Sequence, residues 1–205
     1  MANNLYSKEH DSLENINIDN YFSQQQQSFK RDPFPDLKTR ISDLKKLKKA
    51  IIDHQPALIK ALSDDFGHRS IHDSKMGDIL STIASINYAI KHLKKWMKPV
   101  KRHIGALFQP AQGFVMYQPL GVVGIIAPWN YPVFLSLGPL TTALAAGNRA
   151  MIKMSEYTPE TNQTIQVMLA SIFSNDKVSV INGGPLVAEH FSKQPFDHLL
   201  FTGST

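Results

Sequence analysis

From residue 122 onward, short apolar runs alternate with stretches patterned as helices, and that alternation restricts the fold more than any other feature. Residues 122–127 (VVGIIA) form an unbroken apolar run, as in a strand buried on both faces. Residues 135–146 read as an apolar helix of small residues closed by Gly147. A second short strand is expected at 150–153. The next helix opens with Thr158 as N-cap, Pro159 in the first turn and Glu160 near the positive helix end. Residues 178–181 read as a third strand, 186–192 as a helix and 199–201 as a fourth strand. Strands and helices in this order pair in parallel through right-handed crossovers, which gives the α/β class. Ligands of such sheets bind beyond the carboxyl ends of the strands. The loops to inspect are therefore 128–132, 154–157, 182–185 and 202–205.

The first hundred residues follow a different grammar. Leu37, Ile41, Leu44, Leu47 and Ile51 recur every three or four positions, which places them on one helix face with lysines on the other. Pro56 suits the first turn of a helix carrying Leu58, Ile59, Leu62 and Phe66, with Gly67 ending it. Met76, Ile79, Leu80, Ile83, Ile90, Leu93 and Met97 mark one long helix stopped by Pro99. The polar tract at 24–27 reads as an exposed helix face. Residues 101–110 read as a linker and 113–117 as a strand, followed by a turn at 118–121.

Apolar residues make up 42% and charged residues 19%, the balance of a folded chain. No apolar run is long enough for a membrane span, and residues 1–11 lack the basic and apolar parts of a secretory signal. No membrane partner is expected, and the cytoplasm is the expected compartment. The net charge of +5 comes largely from lysines at 38–49 and 91–102, which read as solvated helix faces. Nucleic acid is therefore not an expected partner. His68 and His72 are four apart, but Gly and Pro nearby suggest a loop, and no third metal ligand is evident. There is no cysteine, so this chain can supply neither a disulfide nor a thiol nucleophile.

Each of the four loops carries polar or loop-forming residues. Asn130, between Pro128 and Pro132, has an amide that can point at a developing negative oxygen, or can serve only its own turn. Glu156 can accept hydrogen bonds from both ribose hydroxyls, with Lys153 and Ser155 nearby, although an ordinary surface ion pair explains the same residues more simply. Gly183 and Gly184 let a ligand approach the backbone, and a plain turn needs them too. The GxGxxG fingerprint is absent. Gly203 and Ser204 could aim N–H groups at a phosphate from the start of a helix.

Taken in order, GVVGIIAPWNYP (121–132), ALAAGNRAMIKMSEYTP (143–159), VINGG (180–184) and FDHLLFTGST (196–205) resemble the aldehyde dehydrogenase superfamily. The resemblance covers roughly residues 35–205. The DDFGHRS (64–70) and LFQPA (107–111) stretches are similar to those of bacterial coniferyl aldehyde dehydrogenases. It implies a helical segment at 1–100, a linker and oligomer-contact arm at 101–121, and a partial Rossmann-like sheet at 122–205. It further implies that Asn130 stabilises the oxyanion. Ile126 and Trp129 would contact the cofactor, and Lys153 and Glu156 would hold the adenine ribose with Ser155 beside them. Gly184 would lie near the adenosine half, and Gly203 and Ser204 would receive the pyrophosphate. The implied cofactor is NAD, with NADP possible, and the implied parent reaction oxidises a small-molecule aldehyde, coniferyl or another aromatic one, to the carboxylic acid. The full-length parent is expected to be a homo-oligomer.

The family reaction starts with a cysteine thiolate attacking the aldehyde, and a glutamate later activates water. Both residues normally lie downstream of the FTGST motif. Without a cysteine, the chain is expected not to turn over by itself. The alternatives are a nucleotide-binding module without catalysis and an interaction fragment with an open sheet edge.

Overall fold

The computed structural model describes residues 8–203, with side chains from Ile18 onward. The helical part comprises α1 (Lys8–Arg31), α2 (Leu37–Asp53), α3 (Gln55–Phe66), the short turn α4 (Ile71–Asp73) and α5 (Ser81–Trp96). The sheet part runs β3 (Val122–Ile126), α6 (Pro132–Ala146), β4 (Arg149–Lys153), α7 (Pro159–Ala170), β5 (Val178–Ile181), α8 (Pro185–Ser192) and β6 (His198–Phe201). Between the two parts lies a hairpin of β1 (Val100–Arg102) and β2 (Gly113–Val115).

The four later strands pair in parallel in the order β5-β4-β3-β6. Alternate residues serve opposite faces, as the pleat requires. Val123, Ile125, Ala150 and Ile152 join Leu137, Leu140 and Leu144 of α6 in one core, which also takes in α2, α3, α5 and α7. Val122, Met151 and Ile181 face the other way, against Ile18 and Phe22 of α1 and Val187 and Phe191 of α8. Fully burying each such side chain contributes about 1.5–3 kcal/mol. Helix α6 ends at Gly147, whose φ of 90° suits glycine. The buried Arg40 side chain from α2 donates to the carbonyls of Ala145 and Ala146, which the helix end leaves without partners.

Several expectations from the sequence need correction. The tract at 24–27 is not simply an exposed face: Gln25 is fully buried, and its amide donates to the Ala150 and Asn175 carbonyls and to Ser179 Oγ. It docks α1 onto β4 and β5, and a buried amide is tolerated because its donors are satisfied. The linker at 101–110 begins inside a strand, since Val100 pairs with Val115, Lys101 with Phe114 and Arg102 with Gly113. A basic three-residue strand carries no apolar signal. The long helix expected from Met76 is π-helical over Ser74–Leu80. Its i→i+5 bonds rotate the stripe, leaving Met76 and Leu80 exposed. Thr158 stands at the N-cap of α7, but its hydroxyl bonds to Asn162 instead of a helix N–H. The Asp65 carboxylate, from α3, accepts the N–H groups of Glu160 and Thr161.

Candidate functional site

The strand ends are level with one another. Ile126 pairs with Lys153 and Phe201, and Lys153 pairs with Ile181. The ladder continues one residue further, with Ala127 N–H donating to Lys153 O, Met154 N–H to Ile181 O and Thr202 N–H to Ile126 O. All four loops therefore leave one edge of the sheet. Ile126, Lys153, Ser155, Glu156, Gly184 and Gly203 belong to that edge, while Ser204 lies outside the described residues.

Lys153 is 2% exposed, and its ammonium donates to the carbonyls of Met154 and Gly183 at 2.6 and 2.7 Å. It ties the loop after β4 to the loop after β5. Ser155 and Glu156 are half-buried beside it. The Ser155 carbonyl accepts from the Asn162 amide at 2.6 Å, which holds this loop against the first turn of α7.

The two glycines after β5 differ. Gly183 has φ of 140°, a conformation that favours glycine. Gly184 has an ordinary φ of −82° and starts α8. It is buried, yet a β-carbon there would meet no atom within 4 Å beyond its chain neighbours. Neither conformation nor crowding requires a glycine at 184, so open space beside the backbone is the feature to explain.

The loop after β3 is held from outside. Trp129 and Asn130 are exposed. The Trp129 ring lies 6.2 Å from the Phe66 ring of α3. Arg69 Nη1 donates to the Asn130 carbonyl at 3.0 Å, and the guanidinium lies over the rings of Phe66 and Tyr131. Asp78, fully buried, accepts the Phe134 N–H at the start of α6 and stands 3.1 Å from Arg69 Nη2. Burial raises the Asp78 carboxyl above the ordinary aspartate range, opposed by the Phe134 hydrogen bond and the Arg69 charge. Asp65 and Arg69 both fall in the DDFGHRS stretch. Composition and periodicity assign neither residue a role, because their partners are far away in sequence.

Two further features lie apart from this edge. A cavity of about 910 Å³ opens between α5 and α6 and is lined by Tyr88, Leu93, Trp96, Met97, Tyr117 and Thr141 among others. Among the described residues, no group of three or more His, Asp or Glu side chains could hold a metal, and no helix is long and apolar enough to cross a membrane.

A family model described as "Aldehyde dehydrogenase family" matches residues 13–205. The chain belongs to the aldehyde dehydrogenase family. It is 50% identical over 195 residues to a probable coniferyl aldehyde dehydrogenase of Pseudomonas aeruginosa, covering 95% of this chain and 41% of that protein. It is 42% identical over 169 residues to a coniferyl aldehyde dehydrogenase of a Pseudomonas species, covering 82% of this chain and 35% of that one. The solved substrate-bound state of Staphylococcus aureus AldH superposes with a TM-score of 0.88 at 34% identity, covering 91% of this chain and 41% of that one. This aldehyde dehydrogenase chain thus spans about two fifths of the length of such relatives.

Proposed function

We propose that this chain carries the dinucleotide-handling part of an NAD(P)-dependent aldehyde dehydrogenase whose substrate is coniferyl or another aromatic aldehyde. The observation that carries the reading is the common edge of the four loops, with open space beside Gly184. The residues present fit an NAD molecule. Lys153 and Glu156 would hold the adenine ribose, with Ser155 beside them. Gly184 would leave room for the adenosine half, and Ile126 and Trp129 would border the cofactor through main-chain groups. Gly203 and Ser204 would take the pyrophosphate. A carboxylate at 156 repels a ribose 2′-phosphate, which favours NAD over NADP. When bound, the cofactor supplies a hydride acceptor. Asn130 would donate its amide to the negative oxygen that develops on the aldehyde carbonyl.

The 205 residues include no cysteine, so the attacking thiolate is not among them. The chain alone is therefore expected to bind NAD weakly and to oxidise nothing, which is also the behaviour of a nucleotide-binding module. We assign the cytoplasm as its compartment and the β1–β2 hairpin as an oligomer contact in a full-length parent. Calorimetric titration with NAD tests binding, and a heat signal that saturates is expected. Incubation with NAD and coniferyl aldehyde tests catalysis, and no NADH is expected. Absence of any NAD binding contradicts the first statement, and sustained NADH formation contradicts the second.

A further inference from the structure

We infer that Arg69 is a positioning residue for Asn130, a role that rests on the proposed reading of Asn130 as an oxyanion donor. A guanidinium offers two flat faces and a rim of N–H donors. Here two aromatic rings pack against it, with the Phe66 and Tyr131 ring centroids 4.9 and 4.6 Å from Arg69 Cζ. The rim is used as well. Nε lies 3.2 Å from Asp73, Nη2 3.1 Å from Asp78, and Nη1 donates to the Asn130 carbonyl. The side chain is only 5% exposed, and its contacts are with protein groups.

The surrounding chain is shaped for this contact. Asp78 sits in the π-helical turn, a distortion that recurs at functional sites. Its second oxygen accepts the Phe134 N–H, so the main chain is tied to the helical part at both 130 and 134. Gly77 lies directly under Tyr131, and a β-carbon there would come within 2.6 Å of the ring. Glycine at 77 therefore lets Tyr131 pack against the guanidinium. With the main chain held at 130 and 134, Asn130 would present its amide from a fixed backbone without spending its own side chain on the turn.

The test uses the isotopically labelled chain and reads backbone order parameters at 129–131 together with the Asn130 side-chain amide signals. In the wild type these residues are expected to be as ordered as α6, near the value of about 0.85 for rigid backbone. The double variant R69M/D78N removes both buried charges together, so no carboxylate is stranded in the core. It is expected to drop the loop below about 0.6 while signals from α2 and β4 stay in place. R69K is expected to fail to rescue, since an ammonium supplies neither the fork nor the flat faces. G77A leaves Arg69 and both carboxylates intact, and it is expected to loosen the same loop by displacing Tyr131. A mobile Asn130 in the wild type overturns the inference with no variant needed. So does an ordered loop in R69M/D78N. NAD titration separates the two readings: lost binding in the wild type with an ordered loop sinks the cofactor reading alone. Retained binding with a mobile loop sinks the positioning role alone.

Discussion

Strands β5 and β6 are the two outer strands of one sheet, yet they meet different surroundings. All four residues of β5 are buried, whereas three of the four in β6 are exposed, including Leu199 at 40% and Phe201 at 56%. Both are short apolar runs, so their own sequence does not separate them. The difference comes from cover on both faces of β5: α7 packs against Val178 and Val180, while α1 lies with α8 over the other face and anchors there through Gln25. Arg149 reinforces this side by donating to the Ser28 hydroxyl and carbonyl. Helix α1 on one face and α7 on the other are thus the covers that turn this side of the sheet into interior. The β6 edge keeps the exposed backbone and apolar side chains that invite association.

The contrast can be broken by comparing aromatic residues on its two sides. Phe191, fully buried against α1 and β5, is expected to cost about 3–5 kcal/mol when changed to Ala. Phe201→Ala on β6 is expected to stay within about 0.5 kcal/mol. Urea titration reads both, and equal costs would show that β6 is covered after all. Gln25→Ala comes next. It removes a buried donor from the Ala150 carbonyl and the Ser179 hydroxyl and is expected to cost about 1–3 kcal/mol by the same measurement. No change would mean that α1 docks through its apolar residues alone.

The smallest expected effect depends on pH. Asp176 lies in the turn before β5, and its carboxyl is held below the ordinary aspartate range, first by the Ser174 hydroxyl. Burial opposes this, while Ser28, Arg31 and Arg149 add to it. A folded pKa below the unfolded one stabilises the protein above the unfolded value, and this stabilisation is lost as pH falls through the folded value. Acid is therefore expected to weaken the α1–β5 junction, and Asp176→Asn is expected to flatten that part of the stability profile. Parallel profiles for the two proteins would remove Asp176 from the junction.

Legibility in the sequence followed the range of the interactions. The strands and helices after residue 122 were readable because their signals are local: apolar runs, Pro in first turns and Gly147 at a helix end. The level strand tips then followed from topology. Gln25 was misread because a buried polar residue resembles an exposed one until its acceptors, more than a hundred positions away, are known. The Asp65 cap and the Arg69 clamp were missed for the same reason. Their shared stretch, DDFGHRS, was recognised as a resemblance, and that was the available sign that it has a job. At 183 and 184 the sequence shows two equal glycines, and only the backbone angles separate the one needed for the turn from the one facing open space.

Calorimetric titration of NAD into the wild type and Gly184→Val puts that open space to the most direct test. The backbone at 184 is extended and a β-carbon there meets no atom within 4 Å beyond the chain neighbours, so the valine chain is expected to fold, which its circular dichroism checks. If the adenosine half lies there, the affinity for NAD falls at least about tenfold, equivalent to about 1.4 kcal/mol. Undiminished binding by a folded Gly184→Val chain would contradict a cofactor seated along this edge.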